Sequence, residues 1–237
     1  MRPTDAGSLS NFDIGTGHSL YLHYKPYHDD LFKAFKAYAK GRLLDIGCGN
    51  KPYEQVLLPL VAAYIGCDIS QSGAERVDLL CPANNIPVEN DSFDTVISTQ
   101  TIEHVEDHQG LVNEAYRVLN KNGYFILSGP QYWPLHEEPY DFFRFTKYGF
   151  TYILEKAGFQ IISIDSNGGK WSVAGQALIH ALFPAVYSIK GFKGKVIKTI
   201  FNLFGGIKAI NRFFYYMDNK LPDHKNTMNY VIVAQKL

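Results

Sequence analysis

The chain has 237 residues, 46% of them apolar and 19% charged, with 23 basic side chains against 23 acidic ones. That length and composition exclude a disordered, fibrous or small disulfide-stapled protein, and allow one domain with an elaboration. Zero net charge also excludes a nucleic-acid binder held by bulk positive charge. Cys48, Cys67 and Cys81 form no CxxC or Cys/His ligand spacing, so a reducing cytoplasm is expected, and MRPTDAGSLSNFDIG lacks the apolar run of a signal peptide.

Periodicity predicts a helix over 26–39, with Leu31, Phe32, Phe35 and Tyr38 on one face and Gly41 ending it. Arg42 to Asp45 reads as a short buried strand entering a glycine turn, and Pro52 suits the first position of a helix. Strands follow at 63–67, 76–79 (weaker) and 93–98. A helix is predicted over 105–119, stopped by Lys121-Asn122-Gly123, then a strand at 124–128. A Pro- and aromatic-rich loop leads to a helix over 146–157, a strand over 159–165 and a last strand over 228–235. Strands alternating with helices imply an α/β fold with a doubly wound, Rossmann-like, mostly parallel sheet.

The stretch Leu43-Leu44-Asp45-Ile46-Gly47-Cys48-Gly49-Asn50-Lys51-Pro52 stands at the carboxyl end of the first strand, where open α/β sheets bind ligands. Its glycines admit close approach to the backbone. A dinucleotide fingerprint would want a third glycine opening a helix beneath a pyrophosphate, and this chain has Pro52 there. Asp45, just before the first glycine, suits a cationic amino-acid end rather than a diphosphate. Asp68 ends the second strand, where a carboxylate accepts ribose hydroxyls. A ligand with a ribose, no pyrophosphate and a positive end is S-adenosylmethionine.

Over 43–130 the segments LLDIGCGNKPYE, YIGCDIS, IPVENDSFDTVISTQTIEHVED and NEAYRVLNKNGYFILSGP resemble the class I S-adenosylmethionine-dependent methyltransferases, in particular their type 11 group. The resemblance implies a seven-stranded sheet with an antiparallel last strand. It sets Gly47 and Gly49 against the methionine part of the cofactor, Asp68 on the ribose and the segment before Ile86-Pro87 along the adenine. Cys48, Ile69 and Gln100 complete the expected cofactor set with Asp45. Many relatives carry an Asp five residues before that proline, and this chain has Pro82; the substitutes are Asp78 or the backbone near Ala83 and Asn84.

Methyl transfer from a sulfonium is an in-line displacement, so the protein aligns the acceptor, excludes water and, for a hydroxyl, removes a proton. Two clusters suit this. Gln100-Thr101-Ile102-Glu103-His104 follows the fourth strand, and His104 reads equally as a base or as a packing residue. The loop 132–146 resembles an HxxPxDxxRxT pattern of a subgroup found with bacterial surface-polysaccharide enzymes. There His136 is the expected general base, Asp141 orients it or Arg144, and Tyr132, Tyr140 and Arg144 face the acceptor, as does Tyr24 of a lid segment. The plain alternative is an i,i+3 ion pair of Asp141 with Arg144 at the start of the next helix. His136, Glu137, Glu138 and Asp141 are metal-type donors, but their spacing matches no defined ligand motif and no metal is expected.

From Ser166 to Met217 lie seven basic residues (Lys170, Lys190, Lys193, Lys195, Lys198, Lys208, Arg212), ten aromatics and no acid. Over 195–207, helical spacing sets Lys195, Lys198, Thr199 and Asn202 opposite Val196, Ile197, Ile200, Phe201, Leu203, Phe204 and Ile207. This amphipathic pattern suits an anionic membrane surface, a homodimer or a cap over the protein's own core. The expected divisions are 1–40 (N-terminal lid and helix), 41–165 (cofactor-binding core), 166–227 (basic aromatic helical insertion) and 228–237 (final strand of the core). The expected function is methyl transfer to an oxygen of a glycan or lipid-linked acceptor by a cytoplasmic protein, peripheral on the inner membrane face if the insertion binds lipid. The alternatives are a small metabolite or quinone precursor as acceptor, a nicotinamide-dependent oxidoreductase, and a non-catalytic cofactor-binding module.

Overall fold

A computed structural model of the chain describes residues 14–237. Residues 1–13, which carry most of the stretch read for a signal peptide and the first part of the 1–40 segment, lie outside the described residues. The chain forms two compact units: Asp30–Asp165 with Tyr230–Leu237, and Asn11–Asp29, described from residue 14, with Ser166–Asn229.

Seven strands form one sheet in the order β3-β2-β1-β4-β5-β7-β6. They are β1 (Arg42–Ile46), β2 (Ala63–Asp68), β3 (Leu79–Leu80), β4 (Phe93–Thr99), β5 (Leu119–Pro130), β6 (Gln160–Asn167) and β7 (Asn229–Gln235). Parallel pairing joins β1 to β2 and β4, β2 to β3, and β4 to β5, whereas β7 enters antiparallel between β5 and β6. Asp45 pairs with Gly66 on one side and Ile97 on the other, and Ile97 pairs with Ile126. The carboxyl ends of β1, β2, β4 and β5 therefore share one edge, and the chain order reverses between β1 and β4, the switch point at which such sheets bind ligands.

The helices of this unit are the C-terminal part of α1 (Tyr21–Tyr38), the short α2 (Glu54–Leu57), α3 (His108–Val118) and α4 (Lys147–Ala157). The apolar stripe of α3, Leu111, Val112, Ala115 and Val118, is wholly buried and covers Leu44, Val96 and Phe125 together with Phe150 and Leu154 of α4. Each buried Leu, Val or Phe side chain among them contributes about 1.5–3 kcal/mol of burial free energy. α3 starts at His108 rather than near 105. Val105 is extended, and the Asp107 side chain caps the helix by accepting the Gly110 N–H at 2.9 Å. Lys121-Asn122-Gly123 does not terminate a helix. It lies in β5, where the pairing register with β4 shifts and Asn122 turns left-handed at φ 64°. The strand expected over 76–79 is reduced to Leu79–Leu80.

In the second unit, α5 (Lys170–Ser188), α6 (Gly191–Leu203) and α7 (Gly206–Lys220) pack on one another. The single amphipathic helix expected over 195–207 is broken. Gly205 and Gly206 take φ values of 85° and 50°, left-handed conformations that end α6 and start α7. Apolar residues of that stretch stay uncovered, Leu203 and Phe204 each 79% exposed, as does Phe192 just ahead of it at 82%. Val186, Ile197, Ile200, Phe201, Phe204 and Ile210 line an apolar cavity of about 450 Å³ between the three helices. Among the described residues no helix is long and apolar enough to cross a membrane.

Candidate active site

The glycine turn begins where β1 ends. Gly47 has φ 77°, and a Cβ there would stand 2.2 Å from Thr101 Cγ2, so glycine is required by both conformation and space. Gly49 is also left-handed, at φ 48°, but nothing lies within 4 Å of its Cβ position. One glycine thus locks the turn against the residues after β4, and the other leaves its backbone open to a ligand.

Asp68 is tied to this turn. Its Oδ2 accepts the Gly49 N–H at 3.1 Å and its Oδ1 the Ser70 N–H at 3.3 Å. Asp45 is 1% exposed; its Oδ2 accepts the Tyr64 hydroxyl, while its Oδ1 has no hydrogen-bond partner among the described residues. Burial pushes the Asp45 carboxyl up to about 7, against the Tyr64 hydrogen bond. An unsatisfied buried acceptor costs about 1–3 kcal/mol, and a cationic ligand group relieves that cost. The open glycine backbone, this acceptor and the Asp68 carboxylate fit S-adenosylmethionine, with its ammonium and ribose.

The remaining cofactor candidates are placed unevenly. Cys48 is buried, and burial raises its thiol pKa. Ile69 is exposed beyond β2. The Asp78 carboxylate accepts from Lys51 Nζ at 2.5 Å and from the Gly66 N–H at 2.7 Å; these hold its pKa down although burial opposes them. Asn84 is exposed and donates to Asp107 at 2.8 Å, Ala83 is half-buried, and Ile86 is buried with its N–H on Glu114. Gln100 has φ 51° and donates its N–H to the Ser128 carbonyl at 3.2 Å, bridging the ends of β4 and β5. Tyr64 and Lys51, which hold Asp45 and Asp78, were not singled out by sequence reasoning. Their partners lie 19 and 27 residues away, so local spacing carried no signal.

The second cluster joins the 3-10 turn Ile102–His104 to the loop after β5. His104 and His136 meet with their Nε2 atoms 3.1 Å apart. His104 Nδ1 lies 2.8 Å from the Tyr140 carbonyl oxygen. The His136 N–H donates to Asp141 Oδ2 at 3.0 Å, and His136 Nδ1 lies 3.2 Å from the same oxygen. Arg144 grips Asp141 with both terminal nitrogens, at 2.6 and 2.7 Å, and donates to the Trp133, Pro134 and Phe143 carbonyls. Although burial opposes it, this fork and the His136 amide hold the Asp141 carboxyl down at about 2.

The Asp141–Arg144 pair forms in the loop ahead of α4, which begins at Lys147 behind a Thr146 cap, and not in the first turn of a helix. Glu103 completes the cluster. It is fully buried, neither carboxylate oxygen has a hydrogen-bond partner among the described residues, and burial pushes its carboxyl up to about 8. Burial likewise lowers the His104 pKa. Tyr132 is half-buried and Tyr140 exposed in this loop. Tyr24 belongs to the second unit, where it stacks on His28.

Residues 44–127 match the family described as methyltransferase domain. This segment is similar to a methyltransferase domain. A probable S-adenosylmethionine-dependent methyltransferase of Mycolicibacterium smegmatis is 27% identical over 149 residues, 56% of this chain and 58% of that protein. A ubiquinone biosynthesis O-methyltransferase of Pelagibacter ubique is 26% identical over 98 residues, 37% of this chain and 41% of that protein. The chain thus spans about half the length of these curated relatives. A solved SAM-dependent methyltransferase from Archaeoglobus fulgidus superposes with a TM-score of 0.55 at 16% identity, covering 90% of this chain and 92% of that one, a likeness of fold. Asp45, Gly47, Gly49 and Asp68 all lie in the matched segment.

Proposed function

We propose that the protein transfers a methyl group from S-adenosylmethionine to an oxygen of a glycan or lipid-linked acceptor, in the manner of the subgroup whose loop pattern 136–146 follows. The cofactor supplies an electrophilic methyl on a sulfonium. Asp45 holds its ammonium, Asp68 and Ile69 face its ribose, and the stretch from Asp78 through Ala83, Asn84 and Ile86 borders its adenine. Cys48 and Gln100 shape the floor. His136, oriented by the Asp141–Arg144 pair and backed by His104, takes the proton from the acceptor hydroxyl. Tyr132, Tyr140 and Arg144 position that acceptor.

The single observation carrying this reading is the joining of His104 and His136 at 3.1 Å by the loops that follow β4 and β5, at the sheet edge that also bears the glycine turn. In division of labour, 41–165 with 228–237 serves as the cofactor-binding core, 1–40 as a lid and 166–227 as the insertion. For the insertion, the exposed Phe192, Ile200, Leu203 and Phe204 interspersed with Lys193, Lys195 and Lys198 favour an anionic membrane surface, with a homodimer as the second reading. A quinone precursor is the alternative acceptor, favoured by the ubiquinone O-methyltransferase relative.

The test is incubation of the protein and methyl-labelled S-adenosylmethionine with separated soluble and membrane extracts. Label in a lipid-extractable glycan supports the first reading. Label in a quinone supports the alternative, and label confined to soluble metabolites sinks the lipid-linked proposal. Flotation with anionic and neutral vesicles separates the membrane reading from the dimer, which would appear as a doubled mass in solution without vesicle binding.

A further inference from the structure

The pairing of His104 with His136 has an unusual proton count. A carbonyl oxygen only accepts, so the 2.8 Å contact of His104 Nδ1 with the Tyr140 carbonyl puts the ring proton on Nδ1. His136 Nδ1 is flanked by two acceptors, Asp141 Oδ2 at 3.2 Å and the Pro134 carbonyl at 3.3 Å, and it too carries the proton. In their neutral forms both rings then present bare Nε2 lone pairs to each other at 3.1 Å. Beside these nitrogens stand two carboxylates: Glu103 Oε1 and Glu137 Oε2, each 4.0 Å from His104 Nε2. Glu103 is wholly buried with no hydrogen-bond partner on either oxygen among the described residues. Two imidazole lone pairs converging beside carboxylates, with Glu103 and His104 buried and His136 half-exposed, make a site suited to a cation.

We propose that Glu103, His104 and His136 bind one divalent transition-metal ion, with Glu137 at its open side. The three ligand atoms lie within 4.8 Å of one another. Two nitrogens bound at about 2.1 Å to one ion stand roughly 3.0–3.4 Å apart for angles between square and tetrahedral, which brackets the observed nitrogen separation. Two imidazoles with a carboxylate select zinc, iron, cobalt or nickel over magnesium or calcium, which prefer all-oxygen sets. The surroundings match what metal-bound histidines require: each ring donates its other N–H outward, His104 to a backbone carbonyl and His136 to a carboxylate that Arg144 in turn holds.

Linear spacing hid the set because His136 follows His104 by 32 residues. Ion binding does not depend on which acceptor is methylated, but it replaces the direct base role of His136 in the proposed function. With the ion in place, His136 serves as a ligand, and an acceptor hydroxyl is acidified by the ion rather than deprotonated directly by the ring.

The test uses tag-free, chelator-treated full-length protein titrated with Co²⁺ and, separately, Zn²⁺. The expected result is one ion per chain, with visible d–d bands of a nitrogen- and oxygen-ligated Co²⁺ that Zn²⁺ displaces. His136→Ala, on a half-exposed loop, and Glu103→Gln, which preserves shape, each weaken binding about 100-fold or more. Asp141→Asn weakens it about 10–100-fold, the range for a partner that orients a ligand. Far-UV circular dichroism certifies that each variant is folded. Absence of saturable Co²⁺ uptake by the wild type overturns the site, as does uptake unchanged in folded His136→Ala.

Discussion

The glycine turn and the histidine cluster each contain a buried carboxylate at the ligand edge of the same sheet, and the two are treated differently. Asp45 keeps one oxygen on the Tyr64 hydroxyl and leaves the other unmatched; Glu103 leaves both unmatched. The first arrangement is a cradle half satisfied by the protein. The second sets that carboxylate beside two imidazole nitrogens 3.1 Å apart, which in the proposed tautomers carry no proton between them. The difference teaches that a fixed, cofactor-shaped region relies on backbone conformation, whereas the chemistry-bearing region relies on charge that something else must neutralise.

The sharpest way to break this comparison is to remove one side at a time. His136→Ala is expected to lower methyl transfer to the acceptor found in extracts by about 10²–10⁴-fold. Calorimetry should show S-adenosylmethionine affinity nearly unchanged; an equal loss of affinity would mean that the two regions are one site. Gly47→Ala acts in reverse. Its left-handed backbone and the clash with Thr101 should cost about 1–3 kcal/mol and weaken the cofactor at least about tenfold, read by the same titration.

pH distinguishes the carboxylates further. With its pKa raised to about 7, Asp45 stays protonated in the folded chain between pH 4 and 7 while the unfolded chain ionises. Its contribution to stability is therefore full below about pH 4 and is lost as pH rises through about 7. Denaturant titrations should show that slope, and Asp45→Asn should flatten it. Because the ammonium of the cofactor favours the ionised carboxylate, affinity should fall toward tenfold per unit as pH drops below about 7. The smallest effect concerns Cys48: burial raises its thiol pKa, so iodoacetamide at neutral pH should leave it unlabelled until the chain is unfolded.

Much of the fold was legible because its signals are local. The stripe Leu111, Val112, Ala115, Val118 announces a helix by its spacing, and Thr146 and Gly158 mark the two ends of α4. Where local signals misled, a neighbour outweighed them. Lys121-Asn122-Gly123 has the composition of a helix stop, yet pairing with β4 draws it into a strand bulge. The amphipathic pattern of 195–207 continues through Gly205 and Gly206, but two left-handed glycines divide it.

By itself, then, the sequence determined the alternation of strands and helices, the turn at Asp45-Ile46-Gly47-Cys48-Gly49 and the carboxylate that ends β2. Each depends on residue type and on spacings within one element or one strand-to-strand step. The tertiary structure alone decided that Lys51 holds Asp78, that Tyr64 satisfies half of Asp45, and that His104 meets His136 beside an unpartnered Glu103. Those contacts depend on where strand order sets separate loops down and on how the loop after β5 folds back. No periodicity within a strand or helix encodes a meeting between side chains 32 residues apart.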